Sequence, residues 1–374
     1  MALRDGNIDF AKGCAIVLMV VGHVWGGAPD AFVNLFHMSF FLMASGLFFD
    51  CRRVGSSSGL ISFGVARLRR LYFPYVFWTV VFLSLNNLFL DMHFLADEAR
   101  SAASDGGKLL ALSSYMTWQE LLVRLPRVLV MKDWTFHTGP CWFLITLLYV
   151  SVGYGVASYL LSRATKHLLL IQTILAVVFV VFAQFVPGHS LFGVQIGVGG
   201  RNFAAYALFH AGVLLRKVNL SVFFGRGLKP TLIFCASLAV LLSLQCLGCR
   251  ICLSRNEFDG GVVLILAAAS GFATLYSASI LIEGYLGRLA DVIRYVGRRT
   301  MPILIFHWTA ISIVNRVICM AFDLSPDLTA ARPADLVGNI LCVGYLLCGI
   351  GIPLLFGEIY LCVMRMWRSK TSSK

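Results

Sequence analysis

The sequence predicts an all-α, polytopic transmembrane helical bundle of about ten spans with both termini cytoplasmic. Three observations predict it. Of 374 residues, 59% are hydrophobic and only 13% are charged, and the mean hydropathy is +0.82, so lipid rather than water is the solvent. Apolar runs of the roughly 20 residues needed to cross about 30 Å of hydrocarbon recur along nearly the whole chain. The net charge of +13, from 31 Lys and Arg against 18 Asp and Glu, is concentrated in alternate connections, the signature of cytoplasmic loops. Topology and anionic headgroups therefore account for the basic balance, and nucleic acid is not an expected partner.

Taken in order, the first span covers 8–27. Arg4 and Lys12 precede its apolar core, but Asp5, Asp9 and the lack of a small-x-small cleavage pattern mark a retained helix rather than a signal peptide. Spans 32–50 and 68–90 are joined through Arg52, Arg53, Arg67, Arg69 and Arg70, a cytoplasmic connection. The next connection, 91–138, is long, polar and mixed in charge (Asp91, Asp97, Glu98, Arg100, Asp105, Lys108), and falls outside, where it is the expected acceptor-binding loop. Spans 139–162 and 168–186 flank Arg163 and Lys166; spans 199–216 and 228–247 flank Arg216, Lys217, Arg226 and Lys229. Spans 258–283 and 296–321 flank Arg288, Arg294, Arg298 and Arg299, and span 334–364 runs into a basic tail, 365–374. Residues 1–374 read as one integral membrane domain without the internal repeats typical of transporters.

Most of the eleven cysteines sit inside apolar runs as small hydrophobes. Cys246, Cys249 and Cys252 have ligand-like spacing, yet three thiols fall short of a four-ligand site, so no metal is expected. A disulfide within that loop stays open if it faces an oxidising compartment.

Ionisable side chains within spans are costly and point to function. Lys12 and His23 are eleven residues apart, which returns to one helix face about 16 Å further along. A snorkelling lysine and a hydrogen-bonded bundle histidine are the plain alternative. Asp9, one turn before Lys12, can orient it or form an ordinary end-of-helix pair. His37 opens the second span near the outer end of the first, with Ser45 two turns further along the same face; the Ser45-Gly46 pair reads as a packing contact. His307 lies mid-span beside Trp308, where a satisfied bundle histidine is the competing reading. Trp118, Trp134, His137 and Trp142 gather near the outer interface, as an aromatic belt or as sugar-stacking faces. Arg201 and Arg316, at outer helix ends, fit snorkelling as well as contact with an anionic acceptor.

Several stretches occur together in one order. Asp9-Phe-Ala-Lys12 through Gly22-His23 is followed by His37-Met-Ser-Phe-Phe-Leu-Met-Ala-Ser45-Gly46, then by Arg67-Leu-Arg69-Arg70-Leu-Tyr72-Phe-Pro74-Tyr75. Weaker echoes are Trp142-Phe-Leu, Gly212 with Arg216-Lys217, and Gly297 through His307. The set resembles acyltransferase family 3, especially its fucose 4-O-acetylase-like branch, with Ser39 standing where that family usually has proline.

The resemblance implies a membrane O-acetyltransferase of the cytoplasmic (inner) cell membrane. It would move acetyl from acetyl-CoA on the cytoplasmic side to a sugar hydroxyl of a cell-surface or secreted glycan, or of its lipid-linked precursor. It further implies His23 and His37 as catalytic, Lys12, Arg67, Arg69 and Arg70 as the acyl-CoA phosphate site, and Trp142, His307 and Asp9 as substrate-binding. Guanidinium forks suit phosphate oxygens, and an imidazole titrating near neutrality suits His23 as general base on the acceptor hydroxyl or as a transient acyl carrier. The rival readings are a glycan or metabolite transporter, and an acyltransferase that uses another donor such as succinyl-CoA.

Overall fold

The computed structural model describes residues 5–98, 109–185, 200–225 and 227–372, with backbone alone at 339–340 and 363–372. Helix α1, Gly6–Trp25, begins where the Asp5 carboxylate accepts the Asn7 N–H at 2.8 Å, and ends at Gly26 with φ of 64°. Helices α2, Gly27–Asn34, and α3, His37–Leu47, form one apolar segment broken at Leu35–Phe36. Helix α4, Ser57–Arg67, capped by Ser56, passes through a wide π-type turn, Leu68–Tyr72, into α5, Phe73–Ser84. Pro74 starts α5, where its missing N–H costs nothing. The short α6, Asn86–Asp91, follows.

The long connection after α6 holds a two-residue parallel pairing of β1, Ala96–Asp97, with β2, Leu112–Ser113. It also holds α7, Trp118–Leu129, started by a reciprocal Thr117–Glu120 capping box. Then come α8, Trp142–Ala164, α9, Leu168–Phe182, α10, Gly200–Leu215, α11, Leu220–Phe224, and α12, Lys229–Cys246. A small hairpin, β3 (Ile251–Cys252) with β4 (Glu257–Phe258), precedes α13, Gly261–Tyr285, α14, Gly287–Arg298, α15, Thr300–Ala321, and α16, Pro333–Ser372.

Among the described residues, seven segments are long and apolar enough to cross a membrane: Gly6–Trp25, Gly27–Leu47, Gly139–Ala164, Lys229–Cys246, Gly261–Tyr285, Thr300–Ala321 and Leu341–Cys362. The protein is a multi-pass, all-α membrane bundle. The other three expected spans fall on shorter helices. Span 68–90 is divided by the π-type turn and again at Leu85, because Asn86 and Asn87 turn aside to donate to the Ser114 and Met116 carbonyls at 2.9 and 2.8 Å. Helices α9 and α10, at 15 and 16 residues, cover the described parts of spans 168–186 and 199–216.

Lipid offers helices no hydrophobic drive toward one another, so contact rests on close approach at small residues. Two glycine pairs supply it. Gly13 lies under the Ile293 carbonyl and Gly297 under the Asp9 carbonyl, locking α14 onto α1; a Cβ at either would collide with backbone oxygen. Gly46 and Gly212 do the same for α3 and α10, against the Phe209 and Met43 carbonyls. A buried polar chain ties α8, α9 and α10. Thr173 donates to the Leu169 carbonyl and so accepts from His210 Nε2–H at 2.9 Å, leaving Nδ1 to accept the Tyr154 hydroxyl at 2.8 Å. Beside it Tyr206 donates to Gln172, which donates to Ser158 at 3.1 Å.

The long connection after α6 is pinned to α5 and α15. The Tyr75 hydroxyl donates to the Asp133 carbonyl at 2.6 Å and Tyr72 to that of Leu129 at 2.8 Å. Arg124 grips the Asp133 carboxylate with Nε at 2.9 Å and Nη2 at 2.6 Å, the two-pronged geometry that makes such pairs strong. Asn315 of α15 donates to the carbonyls of Thr329 and Ala331, and Ala331 bridges to Leu109.

Candidate active site

Two cavities lie end to end between α1, α3, α8 and α15. The first, about 400 Å³, is lined by Lys12, Arg53, Arg67 and Arg70 together with Phe41, Ser45, Phe48 and Leu144. The second, about 510 Å³, is lined by His23, His37, Asn34, Trp134, Trp142, Trp308 and Arg201. Met38 and Leu304 line both. A cationic chamber thus abuts an imidazole-bearing aromatic chamber across one pair of apolar side chains.

In the first chamber the Lys12 ammonium lies 3.2 Å from the Asp9 carboxylate and 5.7 Å from the centre of the Phe48 ring. Arg67 lies over Phe63 at 4.9 Å. The i,i+3 spacing at the π-type turn turns Arg67 and Arg70 to one side, and π-type turns recur at functional sites. Arg69, two positions from Arg67, is rotated some 200° away, lines neither cavity and is exposed. Of the four cations expected from the sequence, Lys12, Arg67 and Arg70 line the first chamber and Arg69 does not, while Arg53 lines it beside them. Arg52 and Arg53 are indistinguishable in sequence. In the structure a short helical turn, Cys51–Val54, sends Arg52 outward onto Asp50 at 3.2 Å, which also receives Arg216 at 3.1 Å, and leaves Arg53 for the chamber.

In the second chamber His23, in the last turn of α1, stacks on His307 with ring centres 5.2 Å apart and planes 10° apart. The Trp308 ring tilts against His23 at 4.8 Å. His307 is fully buried and lines neither cavity; its Nδ1–H donates to the Ile303 carbonyl at 2.9 Å, so Nε2 carries the lone pair, and that nitrogen is sealed from solvent without a hydrogen-bond partner. His37 repeats the arrangement with the Val33 carbonyl at 2.8 Å, but its Nε2 faces the chamber it lines. Imidazoles tied at Nδ1 to a carbonyl are held in the tautomer that accepts a proton at Nε2.

Trp142 lines this chamber and Asp9 stands behind Lys12, outside both. Trp118 lies exposed on α7, away from either. His137 is boxed by Phe82, Phe89 and Phe136, with neither ring nitrogen hydrogen-bonded; burial first, then His307, pushes it down to about 3. Ser45 lines the first chamber but donates to the Phe41 carbonyl at 2.8 Å, while Gly46 makes the packing contact on α10. Cys246, Cys249 and Cys252 are free thiols, and among the described residues no group of three or more His, Cys, Asp or Glu is placed to hold a metal ion.

The family model for acyltransferase family 3, described as an acyltransferase domain, matches residues 5–357. The chain belongs to acyltransferase family 3. Both chambers, and every helix that walls them, lie within the matched stretch. No curated protein and no solved structure gives a significant match. As a member of this family the protein is a membrane acyltransferase of acyl-CoA-dependent type, and the first chamber carries cations suited to a polyanionic nucleotide.

Proposed function

We propose that the protein is an O-acetyltransferase of the fucose 4-O-acetylase-like kind, resident in the cytoplasmic membrane. It takes acetyl from cytoplasmic acetyl-CoA and places it on a sugar hydroxyl of a cell-surface or secreted glycan or its lipid-linked precursor. The observation that carries the reading is the meeting of the two chambers at Met38 and Leu304. The CoA phosphates rest on Lys12, Arg53, Arg67 and Arg70, and the thioester reaches across that junction toward His23. The arm of CoA is comparable in length to the roughly 16 Å separating Lys12 from His23 along α1.

His23 takes the proton of the acceptor hydroxyl as its oxygen attacks the acetyl carbonyl carbon. The new C–O ester bond forms as the C–S bond breaks, and the proton passes from the imidazolium to the departing CoA sulfur, so the products are acetylated sugar and free CoA. His37 aligns the hydroxyl from its own Nε2, His307 holds the His23 ring by stacking, and Trp142, Trp134 and Trp308 offer apolar faces to the sugar. Asp9 keeps Lys12 aimed.

The test is transfer of labelled acetyl from acetyl-CoA to membrane glycans by protein in lipid nanodiscs, with succinyl-CoA run in parallel. His23→Ala is expected to lower the rate by about 10²–10⁴-fold while still binding acetyl-CoA. Wild-type protein that transfers no acyl group from any acyl-CoA would overturn the proposal.

A further inference from the structure

The second chamber contains one charged side chain the reaction above does not use. Arg201 lines it beside Trp142, with the guanidinium carbon 4.8 Å from the indole centre. The β3–β4 hairpin holds it in place: the Asn256 side chain accepts its backbone N–H, and the Ser254 carbonyl accepts Nη1–H at 3.1 Å. Its Nε is sealed from solvent without a hydrogen-bond partner.

Arginine cannot relieve this by losing its proton. Among the described residues no carboxylate pairs with it, and none of those lining the chamber is Asp or Glu. A half-buried guanidinium without a counter-charge is unfavourable. Arg53, Arg67 and Arg70, which serve the donor, all lie in the other chamber.

We infer that the acceptor carries an anionic oxygen group, a carboxylate or a phosphate, which Arg201 binds while the hydroxyl to be acylated rests at His23 and His37. The inference depends on the second chamber being the acceptor site. Trp142 serves as the floor of the anion site, its face supporting the guanidinium, while the N–H groups not given to Ser254 donate to the anionic oxygens. A neutral sugar would leave the guanidinium uncompensated, so charge on the acceptor becomes a condition of productive binding.

Membrane glycans separated by anion exchange into anionic and neutral fractions supply the test, with wild type, Arg201→Gln and Arg201→Lys in nanodiscs. Wild type should place labelled acetyl in the anionic fraction at least tenfold more efficiently. Arg201→Gln should reduce that preference tenfold or more through acceptor KM, with CoA affinity unchanged, and Arg201→Lys should retain part of it. Carbodiimide–borohydride reduction of carboxylates and phosphatase treatment then separate the two sources: whichever abolishes acceptance identifies the group. Retention of the glycan fractions on immobilised protein without donor is measured beside transfer. Anionic glycan bound by wild type and lost by Arg201→Gln, with no transfer, would refute acyl transfer yet uphold the anion site. Transfer without preference for the anionic fraction would overturn the anion site and leave acyl transfer standing, and neither binding nor transfer would overturn both.

Discussion

Among the described residues, the histidines His23, His37, His137, His210 and His307 differ in how their ring nitrogens are satisfied, and that difference sorts their roles. His210 has both nitrogens partnered, by Tyr154 and Thr173, and acts as glue between helices. His37 and His307 each spend Nδ1 on a carbonyl one turn back, while His23 faces the second chamber stacked on His307. His137 has no polar partner and packs as an aromatic. Its charged form is excluded, since burial and then His307 lower it to about 3 from an ordinary value near 6.5. Above about pH 6.5 both folded and unfolded states hold it neutral, and below that the unfolded chain gains a proton the folded one refuses, so stability falls with pH until about 3. His137→Phe should flatten this acid limb, visible as a smaller drop in Tm between pH 7 and pH 4.5 than in wild type. Among the arginines, Arg67→Ala should raise donor KM about tenfold or more, the equivalent of one charge-assisted hydrogen bond. Arg69→Ala should change it less than about threefold, as expected of an exposed cation. Equal effects of the two would contradict the placement of Arg67 in the chamber.

At the scale of elements, the site depends on backbone approaches that only glycine permits. Gly46 and Gly212 let α3 and α10 touch, which sets the height of His37 and Ser45 against α8. Gly212→Val would drive a side chain into the Met43 carbonyl, and overpacking of this kind costs about 1–3 kcal/mol or more. A lowered Tm in nanodiscs, with donor and acceptor KM disturbed together, is the expected readout; an unchanged Tm would show that the contact is not needed. The motif residue Tyr75 works at this scale too. It lies buried on α5 and reaches across to the Asp133 carbonyl, so the Pro-Tyr pair fastens the long connection after α6. That role was illegible in the sequence because its partner is 58 residues away.

Across the whole molecule, the two chambers meet at Met38 and Leu304, which line both. Leu304→Trp should fill the junction, lowering kcat tenfold or more while the Kd for CoA stays within about twofold, since the phosphate contacts lie elsewhere. Loss of CoA affinity to the same extent would place the donor differently. The sequence by itself determined that the chain lives in a membrane as a helical bundle, because lipid residence is written in composition and in runs of about 20 residues, both local properties. It also marked Lys12 and His23 as one helix face, since helical periodicity needs no tertiary information. Only the tertiary structure decided which arginine of a cluster lines the first chamber, that His307 stands behind His23 rather than in the open, and that Arg201 is tied to the β3–β4 hairpin beside Trp142. Those assignments depend on packing between segments distant in the chain: a hairpin at 251–258 seated on residue 201, a short turn at 51–54, and glycine contacts that fix helix rotation. Alternation of charge and apolarity along a sequence reports which residues meet lipid or water, but not which of them meet each other.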